Sequence, residues 1–303
     1  MMKFPSYKKK WVFPLLAVLL VTVPLLVQSC GSGYSNPQSS VASSSVLISP
    51  ATLNAWVTNG YGTDSAGFNK MVILDVASSA GTTSYTVSGH VPGAYLLDTS
   101  VSLSASRSDG VSTVATDTVT ESIMNSLIQS TGIDQNTVVV LTGDSLLNVG
   151  KAYFNFRYWG FPKNRLKVLD RTNAAYQTAG FSLSTTIPPA ANSTYSVCSL
   201  TQNISLRAPV SEMITLAKGG IPNSLLWDVR SPNEYNGVAG STVGPTGTAT
   251  AGYTAFEGHI AGAINQVYTV NLSTDGSTFL SPSTIQANLG SIGVTPAKTT
   301  YVY

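Results

Sequence analysis

Charged residues are scarce in this sequence of 303 residues: they make up 10% of it, against 43% for hydrophobic residues. Histidine and cysteine are rarer still, with two residues of each type. So few imidazole and thiol groups argue against a structural metal site, and we predict neither a metal nor another cofactor. The apolar content is nevertheless high enough for sizeable cores, which is typical of a globular chain rather than a disordered one.

The formal net charge of +2 depends on four lysines near the N-terminus, Lys3, Lys8, Lys9 and Lys10. Without them the acidic residues outnumber the basic ones. A basic surface is the usual mark of a nucleic-acid partner, and we therefore predict no such partner.

The N-terminal segment has the pattern of an export signal. Lysines precede an apolar run that ends at Val27, and Gln28, Ser29 and Cys30 follow. This ending resembles a bacterial lipobox, which implies a signal peptide over residues 1–29, a lipidated Cys30 and a flexible tether over 30–45. An uncleaved membrane anchor is the alternative, because the run approaches the length of a spanning helix. Both interpretations predict a protein anchored in the cell envelope and facing the periplasm or the outer surface.

The second cysteine, Cys198, has no partner for an internal disulfide if Cys30 is lipidated. It lies far along the chain from the end of any predicted strand. We interpret it as a bystander, with a role as a resolving thiol as the alternative.

An internal repeat divides the rest of the chain. The shared features are an apolar run that ends in Asp-Val, a tyrosine, and a Gly-His segment. They are found at Ile73–Val76, Tyr85 and Gly89–Ala94, and again at Leu226–Val229, Tyr235 and Gly258–Ile264. The repeat predicts a first domain over residues 46–185, a linker over 186–206 and a second domain over 207–303. The second copy carries a Gly- and Thr-rich insertion over 237–255.

Strands and helices alternate in both copies, which predicts an α/β fold with two domains, each a central parallel sheet flanked by helices, the second of them incomplete. The predicted strands of the first domain are 71–76, 94–97, 137–141 and 165–169, and its helices are near 50–57, 118–128, 145–159 and 173–179. The second domain has predicted helices over 211–218, from 232 and up to 289, with strands over 225–229 and 299–303.

The second copy resembles the rhodanese superfamily of sulfurtransferases. The resemblance is carried by Asp228-Val229-Arg230-Ser231-Pro232 with Tyr235, followed by Gly258-His259-Ile260 and Gly262-Ala263-Ile264-Asn265. It covers nearly everything from residue 46 to 303 and implies a tandem arrangement with an inactive first domain. In active members the strand that matches 299–303 runs directly into the catalytic cysteine, whose loop and following helix hold an anionic persulfide. The resemblance thus implies a nucleophile at position 304, and no catalytic nucleophile within the chain.

The first copy has lost this chemistry. Alignment of 140–142 with Val302, Tyr303 and position 304 puts Thr142 at the nucleophile position. A threonine hydroxyl forms no persulfide, Asp144 would repel an anionic sulfur, and Ala77 replaces Arg230. We therefore predict a catalytically silent first domain.

Our hypothesis is that position 304 is a selenocysteine. Its UGA codon would then have been taken for a stop codon. A frameshift, an artificially chosen chain end or a decayed gene are the competing explanations. The polypeptide that ends at Tyr303 would then lack sulfurtransferase activity.

Four residues are candidates for a supporting role: Asp228, Arg230, His259 and Tyr303. Asp228 either orients the active loop or bonds its backbone. Arg230 either attracts an anionic donor or forms an ion pair, with Glu234 as a candidate partner. His259 is interpreted as a turn residue rather than a general base, because His90 occupies the same place in the silent copy.

The resemblance implies transfer of a sulfane sulfur from thiosulfate or mercaptopyruvate to a thiophilic acceptor such as cyanide or a thiol. The implied partners are thus a small anionic donor, that acceptor and the membrane. A non-catalytic binding module and a phosphatase-like or arsenate-handling relative, with a longer active loop, remain alternatives.

Overall fold

The computed structural model describes residues 45–79, 84–108, 113–241 and 257–303. The first repeat is built on a five-stranded sheet in the order β1-β7-β6-β2-β3, in which every neighbouring pair is parallel. Its strands are β1 Leu47–Ile48, β2 Lys70–Ala77, β3 Tyr95–Asp98, β6 Thr137–Gly143 and β7 Leu166–Leu169. The predicted parallel α/β architecture is confirmed.

Helices cover both faces of this sheet. They are α1 Pro50–Asn59, α2 Glu121–Ser130, α3 Leu146–Tyr158 and α4 Asn173–Thr178. Each begins after a Ser or Thr whose side chain accepts a hydrogen bond from a backbone N–H of the first turn: Ser49, Thr120, Ser145 and Thr172. The cap at Thr120 explains why α2 starts later than the predicted residue 118.

The two central strands are buried on both faces, as their unbroken apolar runs predict. Side chains alternate between the faces. Val72, Leu74 and Val76 of β2 pack into a core with residues of α2 and α3, such as Met124 and Phe156. The residues whose side chains lie on the other face of the sheet, including Ile73 and Val140, pack into a second core against α1 and α4.

The second repeat has a smaller parallel sheet in the order β10-β8-β9. Its elements are α5 Val210–Ala217, β8 Ser224–Asp228, α6 Pro232–Tyr235, β9 Ile264–Asn265, α7 Pro282–Ser291 and β10 Thr299–Val302. The buried core of this repeat consists of Leu216, Leu226 and Ala263, surrounded by partly buried residues. The predicted strands and helices of this repeat are present within a residue or two of their expected bounds.

The short strand β1 and one further feature of the first repeat have no counterpart among the predictions. β4 Ala105–Ser108 and β5 Thr113–Asp117 form an antiparallel pair outside the main sheet. Neither segment has an alternating apolar pattern, so the sequence lacked the usual signal for a strand.

The segment between the repeats packs against the first one. Val197 is buried in the core, its N–H donates to Asn125 Oδ1 at 2.9 Å, and the Ser193 N–H donates to the Gln129 carbonyl at 3.0 Å. The sequence predicted a linker over residues 186–206. The contacts show that this segment, called the strap below, packs against α2.

Short backbone contacts join the two repeats. The Thr172 N–H donates to the Ser277 carbonyl at 2.8 Å, and the Phe279 N–H donates to the Asp170 carbonyl at 2.9 Å. The start of α4 is therefore tied to the loop that precedes α7.

Several predictions lie outside the described residues: the signal peptide, the lipidated Cys30, nearly all of the tether and most of the insertion over 237–255. In the part of the chain that is described, no helix is both long and apolar enough to cross a membrane.

Gly160, which follows α3, provides a test of how the strap is held. Its φ is +94°, and a Cβ there would lie 2.4 Å from the Thr201 carbonyl oxygen. Gly180 has a φ of +92° with open space around it, and is a matched control. We expect Gly180→Ala to lower the free energy of unfolding by about 1 kcal/mol through backbone strain alone. Gly160→Ala should cost clearly more, because the strap must also move. Urea denaturation measures both, and equal losses would contradict this account.

Candidate functional site

Asp75 and Asp228 occupy equivalent places at the carboxyl ends of the central strands. Asp75 pairs with Leu96 and Asp228 pairs with Asn265, and these partners hold the same position in the two Gly-His segments. Both aspartates are fully buried. The carboxyl edge of parallel strands is where open α/β sheets place their ligands, so this edge is the candidate site.

A tyrosine and a histidine support the edge in the same way in both repeats. Tyr85 stacks on His90 with ring centroids 3.7 Å apart, and Tyr235 stacks on His259 at 3.8 Å. In each pair the histidine Nδ1 donates to the carbonyl of the stacked tyrosine, at 3.0 Å and 2.8 Å. Both tyrosine hydroxyls donate to the alanine carbonyl in the Gly-His segment. His259 thus shares with His90 the Nδ1 contact to the tyrosine carbonyl, although His259 is exposed and His90 is buried.

Asp228 forms a bidentate ion pair with Arg230. The Arg230 Nη2 lies 2.6 Å from Asp228 Oδ2, and Nε lies 3.1 Å from Oδ1. The Arg230 backbone N–H also donates to Oδ1, at 2.9 Å. Burial by itself raises the pKa of Asp228, but the hydrogen bonds and charge of Arg230 outweigh it and hold that pKa below its usual range. Asp228 is therefore an anion at neutral pH and fixes the direction of Arg230.

The guanidinium of Arg230 lies at the rim of this edge. Its Nη2 also donates to the Gly258 carbonyl at 2.7 Å, and its central carbon lies 5.2 Å from the centre of the Tyr303 ring. The Tyr303 hydroxyl accepts a hydrogen bond from the Ile260 N–H at 2.9 Å. No hydrogen bond within the described chain uses the Arg230 Nη1, and the side chain is 28% exposed. Arg230 can therefore contact a small anion while it stays paired.

The partner that the sequence suggested for Arg230 is incorrect. Glu234 instead closes a capping box at the start of α6: its carboxylate accepts from the Ser231 N–H at 3.0 Å, and the Ser231 hydroxyl accepts from the Glu234 N–H at 3.3 Å. Arg230 pairs with Asp228 because that carboxylate is buried beside it.

The corresponding edge of the first repeat is arranged differently. Asp75 Oδ1 accepts from Thr142 Oγ1 at 2.9 Å and from Asn173 Nδ2 at 2.7 Å, and a buried Ala77 stands in place of Arg230. Burial raises the pKa of Asp75 above its usual range in spite of these two donors. In the described part of the chain, Asp75 Oδ2 has no hydrogen-bond partner. Among the described residues, the position that corresponds to Arg230 therefore presents no cationic side chain in this repeat.

Strand pairing corrects the alignment that put Thr142 at the nucleophile position. Thr142 pairs with Asp75. The Tyr303 N–H donates to the Trp227 carbonyl at 3.1 Å, and the Tyr303 carbonyl accepts from the Val229 N–H at 3.0 Å. These two bonds flank Asp228, so Tyr303 pairs with Asp228 in the same way. Thr142 therefore corresponds to Tyr303, and the position after Tyr303 corresponds to Gly143.

Gly143 excludes a side chain at that place in the first repeat. A Cβ on it would lie 2.5 Å from the Val76 carbonyl oxygen. The prediction that this repeat lacks a nucleophile thus rests on Gly143, and not on Thr142 as the sequence suggested.

Cys198 contacts the first residue of α2. It sits in the strap, is exposed, and its Sγ donates to Glu121 Oε1 at 2.9 Å.

Sequence reasoning missed Asn173 and Asn265, whose amides hold the two edges. Asn265 lies within the quoted motif and Asn173 begins the predicted helix over 173–179, but neither side chain was given a role.

Comparison with known proteins now identifies the family. The chain is 31% identical to the sulfur carrier protein TtuD of Thermus thermophilus over 219 residues, which cover 71% of this chain and 70% of TtuD. The chain belongs to the rhodanese-fold sulfurtransferase family. No protein-family model matches the sequence.

Solved structures share the rhodanese fold at low sequence identity. The 3-mercaptopyruvate sulfurtransferase SseA of Escherichia coli superposes with a TM-score of 0.63 and 15% identity, over 85% of this chain and 87% of SseA. The anaerobic ergothioneine biosynthesis enzyme of Chlorobium limicola gives 0.60 and 19% identity over 85% of this chain. The chain spans 60% of the length of that enzyme.

The proximity of Asp144 to Asp75 in the first repeat predicts a pH-dependent stability. Burial and the charge of Asp75 raise the pKa of Asp144 to about 6. A raised pKa in the folded state contributes stability that is complete below the unfolded pKa, about 4, and is lost as the pH rises through about 6. Asp144→Asn removes this loss. We expect the variant to match the wild type at pH 4 and to be more stable by about 1 kcal/mol at pH 7.5.

Asp134→Asn is the control for this experiment. Lys70 and nearby donors outweigh the burial of Asp134 and hold its pKa below the usual range, so its contribution is present at neutral pH and is lost as the pH falls. This variant should be less stable than the wild type at pH 7.5. Chemical denaturation across the pH range measures both variants, and a destabilised Asp144→Asn at pH 7.5 would overturn the account.

Proposed function

We propose that the second repeat is the substrate-binding half of a sulfurtransferase site. With a nucleophile at position 304, this site moves a sulfane sulfur from thiosulfate or mercaptopyruvate to a thiophilic acceptor, through a persulfide or selenosulfide at that position. The observation that carries the proposal is the ion pair between the buried Asp228 and the partly exposed Arg230 at the strand edge, in which the Arg230 Nη1 has no hydrogen bond within the described chain.

Family membership supports the sulfur chemistry, and the pairing of Tyr303 with Asp228 supports the place of the nucleophile. A residue after Tyr303 would lie at the rim where Arg230 is partly exposed. Helices and turns that start at such a rim can direct backbone N–H groups toward an anion. A persulfide formed there would have both a cation and backbone donors near it.

The proposed reaction has two displacement steps. In the first, the anionic nucleophile at position 304 attacks the outer sulfur of thiosulfate. A bond forms between the nucleophile and that sulfur, the sulfur–sulfur bond of thiosulfate breaks, and sulfite leaves with the electron pair. In the second, cyanide or a thiolate attacks the bound sulfur, and the nucleophile departs as an anion. Charge balances in both steps when cyanide is the acceptor, and no external oxidant or reductant is needed.

Arg230 is the residue that we assign to the donor anion. Charge-assisted hydrogen bonds from a guanidinium to an oxyanion are stronger than neutral ones. The paired carboxylate of Asp228 keeps the guanidinium from reorienting, which lowers the cost of binding.

The nucleophile is tested on the product of the natural gene, sequenced beyond codon 303. We expect an in-frame UGA or Cys codon at 304, followed by sequence for a loop and a helix. The product that contains position 304 should transfer sulfur from thiosulfate to cyanide, and a serine variant at 304 should lose that activity by at least about a thousandfold, because a hydroxyl forms no persulfide. The polypeptide that ends at Tyr303 should be inactive. Equal activity of the serine variant would exclude position 304 as the nucleophile.

A conservative change at Arg230 tests donor binding. Arg230→Lys keeps a positive charge for Asp228 but loses the second guanidinium nitrogen. In the product that contains position 304, we expect the KM for thiosulfate to rise about tenfold with a smaller change in kcat. Circular dichroism and the Tm check that the variant is folded. An unchanged KM in a folded variant would show that Arg230 does not bind the donor.

We also propose that Cys30 is lipidated and anchors the protein in the cell envelope. The support is the apolar run that ends in Gln28-Ser29-Cys30 after an N-terminal cluster of lysines. Metabolic labelling with a fatty acid should mark the wild type and not Cys30→Ser. Labelling of both proteins would reject a lipid on this residue.

A further inference from the structure

The side-chain amide of Asn265 spans the turn that carries Arg230. Its Nδ2 donates to the Asp228 carbonyl at 3.1 Å and to the Arg230 carbonyl at 3.0 Å. An amide nitrogen carries two hydrogens, so both are used. Asn265 belongs to β9, and its backbone pairs with Asp228. The amide therefore ties both ends of the three-residue turn to the neighbouring strand.

The backbone carbonyls of the first two residues of this turn have donors other than Asn265. The Asp228 carbonyl also accepts from the Gln266 N–H at 3.1 Å, and the Val229 carbonyl accepts from the Tyr268 N–H at 3.2 Å. In the described chain, the hydrogen bond to the Arg230 carbonyl comes from Asn265. Loss of the Asn265 amide would thus leave the Arg230 carbonyl without this donor, while the Arg230 N–H stays bonded to Asp228 Oδ1.

Comparison of the two repeats links Asn265 to the arginine. The first repeat has Leu96 at the place of Asn265, paired with Asp75 in the same register, and Ala77 at the place of Arg230. Leucine has no donor. The amide and the guanidinium are thus present together in one copy and absent together in the other, although the buried aspartate is present in both.

We propose that Asn265 is a positioning residue that holds Arg230 over Tyr303, and thereby sets the affinity of the second repeat for an oxyanion donor. The part that concerns the donor rests on the proposed function above. The part that concerns the position of Arg230 involves only residues of this chain and does not depend on the proposed function. Asn265 is expected to act through the backbone of Arg230, without contact to the anion.

The test compares Asn265→Leu, which introduces the residue of the silent repeat, with Asn265→Asp, which keeps the size but replaces the donors with acceptors. The control is Asn288→Leu, because the Asn288 amide also donates to a backbone carbonyl, that of Val270 at 2.9 Å, but on α7. The three variants and the wild type are studied as the full 303-residue chain. Calorimetry measures thiosulfate binding, and NMR follows the Arg230 Nε–H signal and the titration of Asp228.

We expect both Asn265 variants to bind thiosulfate about tenfold more weakly than the wild type. The Arg230 Nε–H signal should broaden or shift, and the pKa of Asp228 should rise, because its burial would no longer be offset by a fixed guanidinium. Asn288→Leu should leave binding and titration unchanged, even where it lowers the Tm.

Three results would overturn the proposal: unchanged binding and titration in either folded Asn265 variant, equal effects in the Asn288 control, or a lower Tm as the sole consequence of Asn265→Leu. If the wild type itself binds no thiosulfate, the proposed donor site fails. The titration of Asp228 and the Arg230 signal then still decide whether Asn265 holds the arginine.

Discussion

The ion pair between Asp228 and Arg230 determines the character of the candidate site. A fully buried carboxylate is unfavourable unless it is paired and hydrogen-bonded. Asp228 meets this condition through the side chain and the backbone N–H of Arg230. The same contacts restrict the arginine to one direction, toward Gly258 and Tyr303. The buried carboxylate of Asp228 thus determines where the positively charged guanidinium of Arg230 lies in the site.

The first repeat meets this requirement only in part, because Asp75 has two neutral donors on Oδ1 and, in the described chain, none on Oδ2. Thr142 and Asn173 donate neutral hydrogen bonds to Asp75, and burial raises its pKa. The backbone frame is retained, including the stacked tyrosine and histidine. The two copies therefore share a scaffold and differ in charge at one edge. In the first copy the edge contributes to packing, and in the second it presents a cation.

The family, the parallel sheet and most element bounds could be predicted, because buried parallel strands are continuous apolar runs and because the Asp-Val-Arg and Gly-His segments are local in sequence. The β4–β5 pair was missed since its residues have no alternating pattern. The equivalence of Thr142 with position 304 was wrong by one residue, since strand register depends on hydrogen bonds between segments far apart in the chain. Arg230 was given Glu234 as a candidate partner for a similar reason: a nearby acidic residue is visible in the sequence, whereas the burial of Asp228 is not.

Local patterns in the chain specified which segments form strands and helices, where the helices begin, and which residues belong to the repeated motif. These are properties of neighbouring residues: apolar periodicity, capping side chains and glycines. Tertiary structure alone decided that Asn265 reaches the turn of Arg230, that Gly143 has no room for a side chain, and that Tyr303 lies opposite Asp228. The reason is physical: hydrogen-bond partners and steric space at the strand edge come from segments that only the folded sheet brings together.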